Sequence, residues 1–435
     1  MYRTFADFLR ALDDEALERL FTLRPDLISP TPPDYAALAV RANSGPSIAR
    51  VIDSLNAFEL QVLEALMVLE EPIKLKELEK ITDSSARFVY KKFEELCLVY
   101  EGLIPNTLRE ALGAEPAGLG PRSLAKLDLT KLDRAPESAK KVMSALTWGP
   151  PRGSVGDIKN PGPGIAWLLE NHFVVPLDQR HVNMPAEVGI YLRGGKVHKE
   201  LQSKAPDLEG KKYNQSEIDR AAIANISNFL RWCEELLNFW GEVSPTALRS
   251  GGLGVRDLKE IAQHLGVSEG CAAFVAELCY LAGLLAIDSD ESIAPTNSFD
   301  IWLTQDFENK WRNLVSLWLI TSRVSGLVGR SDQKFAALGP ELDRVSAANI
   351  RSRVLEELRS NIELSPNLAS FTERMKWLAP LRRGANLRDD LVKWTLEECE
   401  WLGITGLGAL STFAAELLER SEEHTSELQS RLHLV

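Results

Sequence analysis

The side chains best suited to contact with phosphate groups lie in one short stretch, SSARFVYKK, which begins at residue 84. The apolar residues of this stretch recur at helical spacing and predict a helix with one buried face. The opposite face carries hydroxyls and cations, namely Ser84, Ser85, Arg87, Lys91 and Lys92. Hydroxyls at the start of a helix and cations along it are typical of DNA-contacting helices. The sequence therefore predicts a DNA-contacting face here.

Two observations support a plainer interpretation of the same face. Glu94 and Glu95 follow the cations and reduce their combined charge. Charged helix faces are also most often only solvated and contact no ligand. Both interpretations stay open at this point.

A second group of cations occurs in the stretch ERMKWLAPLRRGANLRDD. Its members are Arg374, Lys376, Arg382, Arg383 and Arg388. Such a group can follow a nucleic-acid backbone, although Asp389 and Asp390 adjoin it. We expect a secondary basic patch in this region.

The helix at residue 84 belongs to a pattern that recurs along the chain. A helix (57–69), a short helix (74–81), the helix from residue 84 and a hairpin pattern ending at Pro105 follow one another. The same order is weaker at 137–185 and clear at 258–295, and a doubtful fourth copy falls within 345–412. This order predicts tandem winged helix-turn-helix domains in a mainly α protein with small β-hairpin wings.

The pattern divides the chain into segments of unequal length. We expect an N-terminal helical segment (1–55), a first winged helix (56–112), a second (120–193), a polar linker (194–214), a long helix with a third winged helix (215–303) and a helical region that holds the possible fourth copy (304–419). Because the intervals differ, the copies are expected to be related domains rather than a solenoid.

The third copy differs from the first in its second helix, EGCAAFVAELCYL, which begins at residue 269. The face opposite its apolar stripe carries Glu269, Ala272, Ala273, Ala276 and Tyr280, with no lysine, arginine, asparagine or glutamine. Alanines make few contacts with base edges. This smooth face therefore predicts close packing against another element or a partner protein rather than DNA contact.

Composition limits the other possibilities. The 435 residues carry a formal net charge of −12, which repels nucleic acid, so DNA contact would need a local basic patch. The five cysteines form no Cys-x-x-Cys pair, and three of them, Cys97, Cys271 and Cys279, lie in helical patterns as expected for buried thiols. No apolar stretch is long enough to span a bilayer. We expect a soluble cytoplasmic protein that contacts no membrane.

Motifs of catalysis are not found in the sequence. It has no phosphate-binding G-x-x-x-x-G-K-[ST] loop, no G-x-S-x-G elbow and no G-x-G-x-x-G. Its histidines and cysteines do not have metal-ligand spacing. The Gln-x-Gln or Gln-x-Asp pair of a class of winged-helix DNA glycosylases is also missing, since Gln305 and Asp306 are adjacent. We therefore predict no enzyme activity, no cofactor and no metal.

Five ordered motifs resemble one protein family. They are FLRALDDEALERLFTLRPDL, REALGAEPAGLGP, SALTWGPPRG, MPAEVGIYLRGG and EWLGITGLGALS, which together extend over nearly all of residues 1–419. The chain resembles the actinobacterial helicase-associated proteins, which are named for an XPB-type helicase-related domain. The resemblance implies tandem winged helices and a role with nucleic acid, but no motor. It also implies that the helicase-related domain for which the family is named lies outside this sequence.

The final stretch, RSEEHTSELQSRLHLV (420–435), looks like the translation of a sequencing adapter. We expect it to be an artefact of a truncated reading frame and exclude it from the fold.

Two functions of different classes remain. The favoured one is a non-enzymatic DNA-associated protein that contacts double-stranded DNA through the face at residue 84 and could work with a helicase or another protein. The alternative is a protein-interaction scaffold that binds partners through the alanine face at 269–280.

Overall fold

The computed structural model describes residues 4–330, 335–380 and 385–418, and the side chains of all of these except 385 and 386. The described chain is mainly helical with small antiparallel sheets, as the sequence predicts. It divides into two compact units, one of residues 1–205 with 376–380 and one of the remaining residues. The division after Ala205 falls inside the segment predicted as a linker.

Before the division at Ala205, the described chain forms eleven α-helices. They are α1 (Phe5–Arg10), α2 (Asp14–Leu23), α3 (Tyr35–Ala42), α4 (Gly45–Ser54), α5 (Ala57–Met67), α6 (Leu75–Ile81), α7 (Ala86–Glu95), α8 (Asn106–Leu112), α9 (Glu137–Thr147), α10 (Pro163–Glu170) and α11 (Ala186–Leu192). A 3₁₀ helix at Leu129–Arg134 precedes α9. The strands among them are β1 (Arg152–Ser154), β2 (Val175–Pro176) and β3 (His181–Asn183).

The rest of the chain contains longer helices. They are α12 (Gln215–Glu242), α13 (Val255–Leu265), α14 (Glu269–Leu281), α15 (Ser298–Leu303), α16 (Phe307–Ile320), α17 (Ala347–Arg359), α18 (Leu368–Leu378) and α19 (Ala385–Trp401). The strands are β4 (Gly210–Lys212), β5 (Leu285–Ile287), β6 (Ile293–Pro295), β7 (Leu364–Pro366), β8 (Thr405–Gly406) and β9 (Ala409–Leu410).

The first recurring segment is built on α5, which a capping box starts. The Asn56 side chain accepts from the Glu59 amide at 2.9 Å, and the Glu59 carboxylate accepts from the Asn56 amide at 3.1 Å. After α6 and α7 the chain turns back through a minimal hairpin, where Tyr100 bridges Leu103. The Ile73 amide donates to the Gly102 carbonyl at 2.8 Å, so an extended piece before α6 lies beside this hairpin.

The second segment has the predicted hairpin and one strand that the sequence did not predict. Strands β2 and β3 pair antiparallel, and β1 joins them on the other side of β3, with Arg152 opposite Asn183. The β1 residues Arg-Gly-Ser carry no alternating apolar pattern, so only the tertiary pairing makes them a strand. Helix α10 packs so closely on α9 that a Cβ on Gly164 would lie 2.6 Å from the Ser138 carbonyl oxygen.

The third segment confirms the predicted pair of helices with a tight glycine turn. Helix α13 ends at Gly266, whose φ of +66° is the left-handed conformation that glycine adopts without strain. Ser268 then caps α14 by accepting from the Cys271 amide at 3.2 Å. Strands β5 and β6 form the predicted hairpin, and Thr246, which precedes α13, bridges Ser292 beside it.

The region of the doubtful fourth copy repeats the same order of elements. Helix α17, strand β7, helices α18 and α19 and the β8–β9 hairpin follow one another, and β7 packs beside β9. Strand β7 also pairs with β4, so the end of the segment predicted as a linker is part of a sheet. The sequence lacks a strand pattern at β4 because its three residues, Gly210, Lys211 and Lys212, are all exposed and include no apolar side chain.

The N-terminal helices form their own small core, which includes Leu9, Leu20, Leu27 and Leu38 together with Cys97 from the end of α7. None of the described helices combines the length and the apolar character that crossing a bilayer requires. Residues 420–435, which resemble an adapter translation, lie outside the described residues.

Candidate nucleic-acid interface

Helix α7 has the buried face that its sequence predicts. Ala86, Val89, Tyr90 and Phe93 are buried at helical spacing. They fix the orientation of the helix against α5 and α6. The opposite side, with Ser84, Arg87, Phe88 and Lys91, is exposed to solvent.

The cations of that exposed side are not unpaired, which corrects the expectation of a free cationic face. Arg87 Nη2 lies 2.7 Å from Glu79 Oε1 of α6, and Lys92 Nζ lies 2.7 Å from Glu59 Oε1 of α5. Lys91 Nζ lies 3.9 Å from Glu95 Oε1 within α7 itself. Every cation of the predicted face therefore has a carboxylate beside it, and the face has no excess of positive charge.

The two serines at the start of α7 also differ in availability. Ser85 Oγ and the Ser85 amide both donate to Asp83 Oδ1, so this hydroxyl is engaged in a local turn. Ser84 is exposed. A phosphate approaching the start of α7 would therefore meet Asp83 together with Ser84.

The N-terminal segment lies against the far end of α7. Phe8, Leu12 and Arg19 of the N-terminal helices line a cavity of about 340 Å³ together with Lys91 and Glu94. Burial, followed by the charge of Glu95, raises the pKa of Glu94 above its ordinary value. This end of α7 is therefore partly covered and acidic, and both properties disfavour contact with a phosphate backbone.

The described members of the predicted secondary basic patch do not form an exposed cationic surface. Arg374 Nε lies 3.0 Å from Glu357 Oε1, and its Nη1 donates to the Pro206 carbonyl at 2.9 Å. Arg388 is only 8 % exposed and lies 3.1 Å from Asp389. Lys376 is half-buried, and Arg382 and Arg383 lie outside the described residues. Arg374 and Arg388 are thus structural cations of the fold.

The alanine face of α14 packs against other elements, as its smoothness suggests, but those elements belong to the same chain. Ala272, Ala273 and Ala276 each have 0 % of their surface exposed. Helix α14 packs against α12, α13 and α16. Glu269 and Tyr280 remain exposed at the two ends. The expected partner-binding face is therefore wrong for the three alanines, because a helix that is apolar all round is buried.

A run of exposed cations without an ion pair lies in the second segment, while the first segment has three more such cations on α6 or directly before it, Lys74, Lys76 and Lys80. Five cations of the second segment fall within residues 126–141, and we name this set the basic strip: Lys126, Lys131, Arg134, Lys140 and Lys141. All five are exposed. None lies within 4.0 Å of a carboxylate oxygen of the described residues.

The stretch also contains three carboxylates, Asp128, Asp133 and Glu137, and two of them accept hydrogen bonds from other side chains. Asp128 accepts from Thr130 Oγ1 at 2.7 Å, which lowers the pKa of Asp128 below its usual value. Asp133 accepts from the Tyr191 hydroxyl at 2.9 Å, and this hydrogen bond raises the pKa of the phenol. Lys131 Nζ lies 3.4 Å from Asn171 Oδ1, at the end of α10. The positive charge of the basic strip is therefore left facing solvent.

The second segment also carries more positive than negative charge, whereas the first carries more negative than positive charge. Residues 120–193 carry ten lysines and arginines against seven carboxylates, whereas residues 56–112 carry seven against eleven. Two further exposed cations, Lys159 and Arg180, belong to the second segment. The amides of Val155 and Ile158 donate to the carbonyls of Arg180 and Gln179 at 2.7 and 3.1 Å, which brings Lys159 close to the tip of the β2–β3 hairpin.

Sequence reasoning overlooked the basic strip because it looked for cations on the second helix of each copy. Apart from Lys126, the strip lies instead on the 3₁₀ helix Leu129–Arg134 and on the first helix of the second copy, α9. A count of charges for each segment would have located it, since only residues 120–193 of the first three copies have a positive balance.

The described residues contain no group of three or more histidine, cysteine, aspartate or glutamate side chains that could hold a metal ion. All five cysteines are buried, which confirms the prediction for Cys97, Cys271 and Cys279. Burial raises the pKa of both Cys97 and Cys271 to about 12, so these thiols stay protonated near neutral pH.

Comparison with known proteins identifies no relative of this chain. No family model matches the chain, and neither a curated protein nor a solved structure matches it. The likeness to helicase-associated proteins therefore stays a prediction from the five sequence motifs.

Proposed function

We propose that this protein is a non-enzymatic DNA-associated protein built of tandem winged helices, and that the basic strip of the second segment contacts the duplex. The observation that carries the proposal is the set of five exposed cations at 126–141 that have no carboxylate within 4.0 Å among the described residues. Unpaired cations are the groups that displace counterions from DNA.

The winged-helix part of the proposal is supported by a shared order of elements. In each of the first three segments a helix is followed by an extended piece, one or two further helices and a hairpin, and the extended piece lies beside the hairpin. Helix α17 with β7, α18, α19 and the β8–β9 hairpin has the same order. A helix-turn-helix with an appended hairpin is a common scaffold of DNA-binding proteins.

The charge of the whole chain, −12, disfavours binding to any polyanion unless a local surface opposes it. The basic strip supplies a local excess of exposed positive charge, with five cations against three carboxylates within sixteen residues of sequence. Four of the five are lysines, whose compact ammonium groups suit contact with single phosphate oxygens.

The proposal is tested by measuring duplex affinity as a function of salt for the native chain and for a charge-reversal pair in the basic strip. Lys140→Glu with Lys141→Glu is expected to weaken binding about a hundredfold at low salt, because it replaces two attractions with two repulsions. Both side chains are exposed, so the folded state is expected to persist, and circular dichroism would check this.

The matched control reverses two cations that already have carboxylate partners. Arg87→Glu with Lys91→Glu makes the same change of net charge on α7 and is expected to change affinity less than about tenfold. Absence of salt-dependent duplex binding by the native protein would overturn the proposal. So would equal affinity for a sulfated polysaccharide of the same charge density, since that would show a general polyanion site.

One observation favours the second candidate, a protein-interaction scaffold. An apolar groove of about 220 Å³ is lined by Ile223 of α12, by Phe307 and Trp311 of α16 and by Phe413 and Leu417. Ile223 and Phe307 are 51 % and 47 % exposed, which is unusual for large apolar side chains. The proposed scaffold function therefore depends on this groove and not on the buried alanines of α14.

Two substitutions distinguish the alanine face from the apolar groove as the site of partner binding. Ala273→Arg would place a long charged side chain at a position with 0 % exposure, and we expect it to unfold the unit that contains α14. Phe307→Asp, at a half-exposed position, should leave the fold intact and would weaken capture of a protein partner if the scaffold function is correct. Retention of the native fold by Ala273→Arg would show that the alanines are accessible after all.

A further inference from the structure

A helix that reads DNA sequence must present hydrogen-bonding side chains to the base edges. In the second segment the helix that follows the 155–162 loop is α10, and among its solvent-accessible side chains only Trp167 and Glu170 carry a hydrogen-bonding group. Pro163 and Glu170 are exposed, and Ile165, Trp167 and Leu169 are half-buried. A proline and apolar side chains do not distinguish one base pair from another by hydrogen bonds, and a glutamate carries the wrong charge for the surrounding phosphates.

The corresponding helices of the first and third segments are no better placed to read bases. On α7 the guanidinium of Arg87, the group suited to guanine, has both Nε and Nη2 engaged with Glu79 Oε1, at 2.9 and 2.7 Å. On α14 every residue from Cys271 to Cys279 is buried. In the possible fourth copy, Lys393 of α19 is exposed, and its Nζ lies 3.9 Å from Glu397.

The exposed cations of the second segment that have no ion pair are of the kind that contacts phosphate. The basic strip with Lys159 and Arg180 contains five lysines and two arginines. A lysine acts as a point charge, whereas guanine recognition depends on the planar, two-donor edge of arginine. The surface thus has charge for the DNA backbone and little means of distinguishing bases.

We infer that the protein binds duplex DNA through the sugar–phosphate backbone of the duplex and without preference for base sequence. This inference rests on the proposed function and specifies its ligand: a DNA duplex of any sequence rather than a particular operator. Affinity then depends on counterion release. If all five cations of the basic strip meet phosphates, the slope of log K against log salt is about −4.5.

The experiment measures the affinity of the full chain for short duplexes of equal length and contrasting sequence, AT-rich, GC-rich and mixed, at several salt concentrations. We expect affinities that agree within about threefold, and parallel salt dependence, because the same phosphates are contacted in each duplex. A preference of about tenfold or more for one sequence would overturn the inference, since a single two-donor base contact produces a difference of that size.

A conservative variant gives a second readout. Arg134→Lys with Arg180→Lys keeps both positive charges and removes the two-donor edges. We expect its affinity for each duplex to stay within about twofold of the native value. A selective loss of affinity for one of the sequences would show base reading by these arginines and would also overturn the inference.

The two proposals fail in different ways. If the native chain binds no duplex at low salt, the proposed function itself fails, and sequence independence fails with it. If the chain binds with a steep salt dependence but prefers one sequence, DNA association stands and only the inference of backbone binding is overturned. Binding to single strands as tight as binding to duplex would likewise overturn the duplex as the ligand.

Discussion

Helix α7 and the basic strip look alike as sequences, since each places several cations within a short stretch. In the structure they differ in ion pairing. The three cations of α7 each have a carboxylate within 4.0 Å, and two of these carboxylates, Glu59 and Glu79, come from earlier helices. The five cations of the basic strip have no such neighbour among the described side chains. The availability of a cation thus depends on what the neighbouring elements present to it.

The carboxylates explain this difference. Near α7 they lie on α5 and α6 at positions that face the cations, so that ion pairs form across helices. Near the basic strip, Asp128 accepts from Thr130 and Asp133 accepts from Tyr191, and neither these carboxylates nor Glu137 lies within 4.0 Å of the five cations. Exposed ion pairs contribute little stability, but they do cancel the charge that a phosphate would meet.

The largest expected effect concerns the covered end of α7. Cys97 is buried against the N-terminal helices, and this burial raises its pKa to about 12. Because the thiolate is the reactive form, alkylation of Cys97 in the folded protein at pH 8 should be roughly a thousandfold slower than that of a free cysteine. Mass spectrometry of the modified peptide measures this rate. Rapid modification in the native protein would show that the N-terminal segment leaves this end of α7.

A loss of stability is expected from removal of the side chain that ties the N-terminal segment to α7. The Arg24 guanidinium donates to the carbonyls of Leu96 and Ala42 at 3.0 and 2.7 Å and is almost fully buried. Arg24→Ala should lower the free energy of unfolding by about 3 kcal/mol and should expose Cys97 to alkylation. Chemical denaturation measures the change. The control Arg19→Ala, at an exposed position, should stay within about 0.5 kcal/mol of the native value.

A smaller effect is expected from the half of the basic strip that lies on the 3₁₀ helix. Lys131→Ala with Arg134→Ala should reduce duplex affinity about tenfold and should reduce the salt slope by about 2, one for each lost phosphate contact. Fluorescence anisotropy at several salt concentrations gives both quantities. Lys196→Ala with Lys199→Ala removes the same charge from exposed positions outside the strip and should leave the slope unchanged. Equal slopes for the two pairs would contradict a role specific to the basic strip.

The smallest expected effect is a gain. Glu79→Gln releases Arg87 from its ion pair, and duplex affinity should then rise about threefold, because one more cation becomes available on α7. Glu77→Gln on the same helix changes the net charge equally without releasing Arg87, and it provides the control. If both variants raise affinity to the same extent, net charge rather than ion pairing distinguishes α7 from the basic strip.

Much of the fold follows from local sequence signals. Helical spacing of apolar residues predicts α5, α7, α13 and α14, and the turn at Gly266 follows from the conformational freedom of glycine. The hairpin β5–β6 follows from two apolar runs on either side of an acidic turn. Strands β1, β4 and β7 were not predicted, because three-residue strands in polar surroundings depend on a partner strand that is distant in sequence.

The sequence by itself determined the helices, their buried faces, the mainly α composition and the order of elements that recurs, because these depend on residues close together in the chain. Only the tertiary structure decided which charged and smooth faces are available. It paired Arg87 with Glu79, buried Ala273 and left Lys140 without a carboxylate neighbour among the described residues. The physical reason is that exposure and ion pairing are properties of contacts between distant segments, which the spacing of residues along one helix does not specify.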